Sequence, residues 1–584
     1  MDVCRAVAEY IERMLVASPG LKVLLLDEHT TPTVSAAFTQ SQLLAHEVYL
    51  VTTVGAHRDR MAHLQCVVFV RPDDASLAAV RQELMRPRYG SYYLGFSNAV
   101  SKSAIEALAE ADTHQLVKEV HEYYADYLPV TPTLFSLSYE VPPAQLWGAT
   151  PESWNGAALA RHTEALVALL LSLRKRPVVR YERKSALARA LAEAVTAQTT
   201  QPGLADLRRA DVPPLLLIVD RRSDPVTPLL TQWTYQAMVH ELVGIRNGRT
   251  RIRDTEVVLS ADNDPFFAEN MYDNYGDLGA AIKEYVSQFQ AKTHSSASLE
   301  TVQDMKRFVE EYPEFQRLRG NVSKHVALLG ELSRRIDEEH LLQVSELEQS
   351  LAGTENHAAD LRTLKELITN TQISAQAKLR LVLLYALRFE RYPGAQTQSI
   401  LTLARANGVS DADAALADAL LGLCGADSRQ GDLFAHTTLF SRGKSALTGL
   451  RGVDNVYTQH SPQLATTLDS LFRGKLRTGA YPFASTPTQD VPATVIPGGQ
   501  CVRPRDVIVF VIGGATYEEA RSVALLNGES HVILGGTTIH NSTSFLAMVR
   551  AAAASLSLAP RVADTQQPDS LLGRVRRQVE GSIP

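Results

Sequence analysis

Apolar, β-branched runs of the kind that make buried strands occur at both ends of this chain and vanish from its middle. Val23-Leu24-Leu25-Leu26-Asp27, Glu47 to Val51, Cys66 to Val70 and Ser91 to Phe96 come first, and Pro213-Pro214-Leu215-Leu216-Leu217-Ile218-Val219-Asp220 follows. The pattern resumes only at Asp506 to Gly514 and at His531 to Gly536. Short continuous runs followed by polar or helical stretches belong to parallel sheets covered on both faces. Between about 247 and 480 the period is helical instead, at Met305 to Glu311, Phe315 to Gln349 and Lys378 to Glu390. A helical domain inserted into a split α/β domain accounts for this order with the fewest assumptions. The expected fold class is therefore α/β with a mainly α-helical insertion, in three domains. These are 1–130, 131–246 with 480–584, and 247–479.

Within the first block, helices are expected at about Ser103 to Ala109 and Gln115 to Tyr124, with Pro129 and Pro132 marking the boundary. In the second, Ala158 to Leu173 is a strongly apolar helix, followed by a strand at Val178 to Tyr181 and helices at Lys184 to Val195 and Gln232 to Val243. The Pro/Thr/Gly-rich stretch Ser485 to Arg505 reads as a loop, and the tail after Pro560 as mobile.

With 584 residues, 45% of them hydrophobic and 21% charged, the chain can bury several cores. Its net charge of −6 is mixed along the sequence, which leaves no basic face for nucleic acid. Cys4, Cys66, Cys424 and Cys501 are far apart, so no zinc knuckle or CxxC pair exists, and a reduced compartment fits. The opening Met1-Asp2-Val3-Cys4-Arg5 is no signal peptide, and the longest apolar stretches fall well short of the ~20 residues of a membrane span. Work at a membrane is expected to pass through a partner.

Two glycine turns, Gly513-Gly514-Ala515-Thr516 and Gly535-Gly536-Thr537-Thr538, follow strands and raise the question of a phosphate site. Neither is GxGxxG or a P-loop, and Glu518 and Glu519 would crowd a phosphate with like charge. A tight βα turn with acidic residues at the helix start explains the same residues. Asp220-Arg221-Arg222-Ser223-Asp224 sits at a strand end, where catalytic groups gather, but also reads as a buried ion-pair network shaping a loop. No HExxH, GxSxG or paired nucleophile and base is found, and no cofactor is expected. Asp27, alone at the end of its strand, has the profile of a turn former. Leu332, Ile336, Leu341, Leu342, Val344 and Leu347 either pack an amphipathic helix on its own domain or offer a groove to a partner helix. A nucleotide- or sugar-phosphate-dependent enzyme stays open as the alternative to a binding protein.

Several strings in unbroken order resemble the Sec/Munc (SM) family of SNARE-assembly proteins. They are Leu25-Leu26-Asp27, Val219-Asp220-Arg221, Asp224-Pro225-Val226-Thr227-Pro228-Leu229 and the stretch from Gln232 to Glu241. Val322-Ser323-Lys324-His325, Glu331-Leu332-Ser333-Arg334, Val456 to His460 and Phe510 to Ala520 continue the series. The loop before Arg505 is longer than the family pattern, and the C-terminal tail has no clear match.

The resemblance implies a three-domain arch and a partner, a syntaxin-type Qa-SNARE of the endosomal/trans-Golgi type. It implies a cytoplasmic monomer that reaches Golgi and endosomal membranes through that SNARE and acts without covalent chemistry. It places a pocket for the syntaxin N-peptide at Ile105, Leu108, Glu122 and Tyr127, and a cleft position at Asp27. It also implies a SNARE-templating helical hairpin near 300–350, turning around Glu311 to Phe315 with Pro313 as hinge. Thr31 and Pro32 depart from the basic and apolar residues of neuronal members, against a tight closed-syntaxin mode.

Overall fold

In the computed structural model, residues 1–140, 145–201, 212–297, 302–353, 356–431, 433–434, 457, 459–485, 504–527 and 530–556 are described, with backbone alone for 291–297 and 302–315. The stretch 486–503 and the tail beyond 556, expected as a loop and a mobile end, lie outside the described residues.

Strands β1 (Lys22–Leu26), β2 (Val48–Thr53), β3 (Met61–Val70), β4 (Tyr89–Phe96) and β5 (Val117–Glu122) form a parallel sheet in the order β2-β1-β3-β4-β5. Its interior strand β1 is buried at every position, which is why it reads as an unbroken apolar run. Side-chain alternation splits it into two faces. Leu24, Leu26, Val67 and Phe69 meet Val3, Val7 and Ile11 of helix Val3–Ala17. Val23, Leu25, Cys66 and Val68 meet Val80 and Leu84 of helix Asp74–Met85 and Leu108 of helix Lys102–Ala111.

β5 corrects an expectation, because 115–124 is not a helix. Gln115 takes a left-handed φ of +52°, which stops the helical path. The Asp112 carboxylate then accepts from the amides of Leu116 and Val117 and turns the chain into the strand. As an edge strand with mostly exposed side chains, β5 lacks the apolar run that marks β1.

The second sheet is made from two distant parts of the chain. β6 (Leu128–Thr131), β7 (Leu134–Ser136), β8 (Val178–Tyr181) and β9 (Leu215–Asp220) come before the insertion. The insertion opens with the hairpin β10 (Arg249–Ile252) and β11 (Thr255–Val258). After it come β12 (Asp506–Ile512), the short β13 (Ala515–Thr516), β14 (His531–Gly536) and the short β15 (Ile539–His540). The order is β6-β7-β14-β12-β9-β8, parallel except for β6 with β7. The chain passes from one sheet to the other between Glu122 and Leu128, and Pro129 sits in the edge strand β6, where its missing N–H costs least.

The insertion is helical, as its periodicity implies. Two long helices, Tyr275–Ala297 and Val302–Glu338, lead into helix Leu341–Gly353 across His340, whose φ is +51°. Here too an expectation is corrected: the chain does not turn around 311–315, because helix Val302–Glu338 runs through Pro313. An interior proline costs about 3 kcal/mol, which a helix of 37 residues docked along its C-terminal part can sustain.

Candidate functional site: binding surfaces on the first sheet and in the cleft

Helix Lys102–Ala111 starts at Ser101, whose hydroxyl accepts from the Ala104 amide. It buries Leu108 in the core and leaves Ile105 partly exposed beside it. Glu122, at the end of β5, accepts from the Val100 amide at 2.9 Å and from the Tyr124 hydroxyl at 2.8 Å. Ile105 and Leu108 thus share one helix on this face of the sheet, and Glu122 is tied to Val100, just before that helix. A carboxylate has about four acceptor positions, so Glu122 keeps capacity for a basic group.

Tyr127 does not join them. It is 3% exposed in the core on the opposite face, its ring edge-on to Phe135 and its hydroxyl bonded to Ser172 Oγ at 2.8 Å. Burial pushes its phenol well above the usual range. Its place on the opposite face, rather than its burial, separates it from Leu108, which is itself 5% exposed.

A cleft of about 580 Å³ opens beyond the carboxyl ends of the first sheet, between Thr30 and Pro32 on one wall and Tyr139 and Arg246 on the other. Its floor is an ion cluster. Asp126 accepts from Arg71 Nε at 3.1 Å, Arg161 Nη1 at 2.8 Å and Asn98 Nδ2 at 2.8 Å. Burial lowers the pKa of Arg161, opposed by the Asp126 carboxylate. The sequence offered no signal for this cluster beyond charges near strand ends, because its members come from four separate segments.

Asp27 stands behind the cleft wall and faces inward. It accepts from the amides of His29 (2.9 Å), Thr30 (2.7 Å) and Arg71 (2.6 Å) and from Ser76 Oγ (2.9 Å). Its place in the cleft is thus that of a scaffold for the rim, the turn-former reading, with no oxygen turned to a ligand. It also holds the amides at the start of helix Thr30–Ala37, which in a nucleotide fold would meet phosphate.

The corresponding crevice of the second sheet is filled in the same way. Arg221 donates to Gly514 O and pairs with Glu519, while Asp220 takes Arg222 and the Ser185 hydroxyl. Glu519 and Thr516 cap each other at the start of helix Tyr517–Leu526. A Cβ at Gly535 would lie 2.0 Å from the Phe135 ring, and one at Gly514 would lie 2.5 Å from His540. Close packing explains these glycines, and the network reading of 220–224 holds. The apolar set between 332 and 347 is likewise mostly internal: Leu332, Ile336, Leu341, Val344 and Leu347 are buried, and Leu342 alone of that set is exposed, at 44%.

The model of the Sec1 family matches residues 22–548. The chain belongs to the Sec1 family. It is 45% identical over 566 residues to vacuolar protein sorting-associated protein 45 of Homo sapiens, covering 94% of this chain and 96% of that protein. Identity to the protein of the same name in Saccharomyces cerevisiae is 35% over 555 residues, 91% of this chain and 94% of that one. A solved structure of the SM protein Vps45 in complex with the Qa SNARE Tlg2 superposes with a TM-score of 0.87 at 47% identity, over 96% of this chain and 100% of that one. The Unc18–syntaxin 1 complex from Monosiga brevicollis, at 19% identity and a TM-score of 0.75, shares the fold. Among the described residues of this Sec1-family chain, no helix is long and apolar enough to cross a membrane.

Proposed function

We propose that the protein binds a syntaxin-type Qa-SNARE and promotes assembly of SNARE complexes for vesicle docking and fusion in trans-Golgi, endosomal and vacuolar transport. The observation that carries this reading is the chain-long similarity to Vps45, solved in complex with a Qa SNARE. In this reading the N-terminal peptide of the syntaxin docks at Ile105, Leu108 and Glu122, an apolar anchor meeting the helix face and a basic group meeting the carboxylate. Tethering the peptide raises the local concentration of the SNARE motif near the helical arm, which aligns it for bundling. The arm is the pair of helices Tyr275–Ala297 and Val302–Glu338, with Pro313 as the position at which the second can bend. The protein acts by shape, without covalent chemistry or cofactor, as a cytoplasmic monomer attached to the membrane through its SNARE. Domain limits of 1–130, 131–246 with 480–584, and 247–479 go with this division of labour.

Filling an apolar pocket contributes about 1.5–3 kcal/mol, so Ile105→Arg raises the Kd for a syntaxin N-peptide by roughly 10- to 150-fold with the fold intact. Calorimetry with the peptide, beside a circular-dichroism melt, measures both. Equal affinity of variant and wild type refutes the pocket. Failure of the wild type to bind any syntaxin refutes the function.

A further inference from the structure

The two strings Gln232 to Glu241 and Val322 to His325 meet in space at one buried point. The Tyr235 hydroxyl lies 2.7 Å from His325 Nδ1, and His325 Nε2 lies 2.7 Å from Asp264 Oδ2. All three side chains are buried, with His325 fully enclosed between Phe266 and Phe267. Asp264 also caps helix Pro265–Asn270 through the Phe267 amide and pairs with Lys324, which donates onward to Val258 O at 3.0 Å. Burial opposes the charge on Asp264, but the hydrogen bonds from His325 and Lys324 outweigh it and hold the carboxyl below the usual range. A carboxylate only accepts, so His325 donates from Nε2 and receives the tyrosine hydroxyl at Nδ1.

The relay joins three elements: Tyr235 opens helix Tyr235–Leu242 of the second α/β unit, Asp264 precedes helix Pro265–Asn270, and His325 lies in helix Val302–Glu338. Its place along that long helix matters. None of residues 316–320 is buried, Val322 is, and from there Leu328, Leu332 and Ile336 dock in the core. Among the described residues of this helix, His325 is thus the outermost buried polar side chain of the docked root. Apolar packing tolerates small rotations of a helix, whereas hydrogen bonds of fixed direction to a buried carboxylate and phenol do not.

We infer that Tyr235, His325 and Asp264 are positioning residues: a directional pin that sets the rotation of helix Val302–Glu338 and so the face its arm presents to a SNARE helix. The part concerning SNAREs rests on the function proposed above; the pin itself does not.

The test compares Tyr235→Phe, which removes one hydroxyl and keeps the ring, with Leu328→Ala, which removes apolar contact from the same root. Full-length protein is followed by amide hydrogen exchange, by calorimetry with a syntaxin N-peptide, and by the rate of SNARE-complex assembly. In Tyr235→Phe, exchange within 302–338 is expected to rise about tenfold while the first sheet is unchanged. Peptide Kd stays within twofold, and the stimulation of assembly falls about fivefold. Leu328→Ala, with an equal or larger drop in Tm, is expected to keep at least half of that stimulation. Unchanged exchange in Tyr235→Phe, or an equal loss of stimulation in Leu328→Ala, overturns the pin. A wild-type protein that leaves assembly unaccelerated defeats the functional reading instead, and the exchange comparison still decides the pin.

Discussion

The two sheets of this molecule reach similar parallel architecture by opposite routes. The first is assembled from one continuous stretch, Lys22 to Glu122. The second pairs Leu215 with Val507 across the whole insertion. Loop-closure entropy grows slowly with length, about 0.6 kcal/mol per doubling, so the long crossing costs on the order of 2 kcal/mol more than a local one. The second sheet answers with polar bonds that tie its two halves directly. Arg221, beyond β9, holds Gly514 O and Glu519 from the far half, and Lys175 reaches Asp506 at 2.6 Å. The first sheet also contains buried ions whose bonds stay within its own stretch, as in Arg58 and Arg88 on Glu83, and its Arg71 and Asn98 reach Asp126 and, through it, Arg161 only at the cleft. Where the chain supplies proximity, charge shapes corners; where it does not, charge also joins the halves.

Breaking that joint gives the largest expected effect. Arg221→Met leaves the buried Glu519 without its partner and should cost about 3–5 kcal/mol in urea unfolding, whereas Arg221→Met with Glu519→Leu recovers most of it. An additive double variant removes the distinction between the sheets.

A pH profile sharpens it. Burial, helped by the neighbouring Asp220 charge, pushes the Glu182 carboxyl up to about 7 from 4.5. The folded state therefore holds this proton more tightly than the unfolded one. The stabilisation is full below about 4.5 and is lost as pH rises through about 7, amounting to roughly 3 kcal/mol. Glu182→Gln flattens that slope, and denaturant unfolding between those limits measures it; an unchanged slope removes Glu182 from the account.

The smallest effect belongs to the local sheet. Asp27→Asn turns a donor toward the Arg71 amide and Ser76 hydroxyl and should cost about 1–2 kcal/mol, with faster exchange confined to the rim of the cleft. A loss spreading into the second sheet would show that the two are coupled more closely than their wiring implies.

Legibility in the sequence followed burial. β1, β9 and β12 are enclosed on both faces and read as plain apolar runs, whereas β5 is an exposed edge, where Val117 and Val120 mimic a helical spacing. Among the residues expected to form the peptide pocket, Ile105 and Leu108 lie on one face of the first sheet and Tyr127 packs on the other, a matter of side-chain direction that a matched string does not carry. The turn that the resemblance implies around Pro313 is overridden by the surrounding helix. The Asp126 cluster and the Tyr235–His325–Asp264 relay left no local trace, since each member has an ordinary neighbourhood in the chain.

By itself, the amino-acid order determined which buried apolar runs are strands, that a helical unit interrupts the second sheet, and the family to which the chain belongs. These depend on hydrophobic period and on strings of neighbours, both local properties. Only the tertiary structure decided which way Asp27 and Tyr127 face, that the long helix passes through Pro313, and which buried polar groups find one another. A polar side chain inside a protein needs a partner, and here that partner comes from a segment tens to hundreds of residues away.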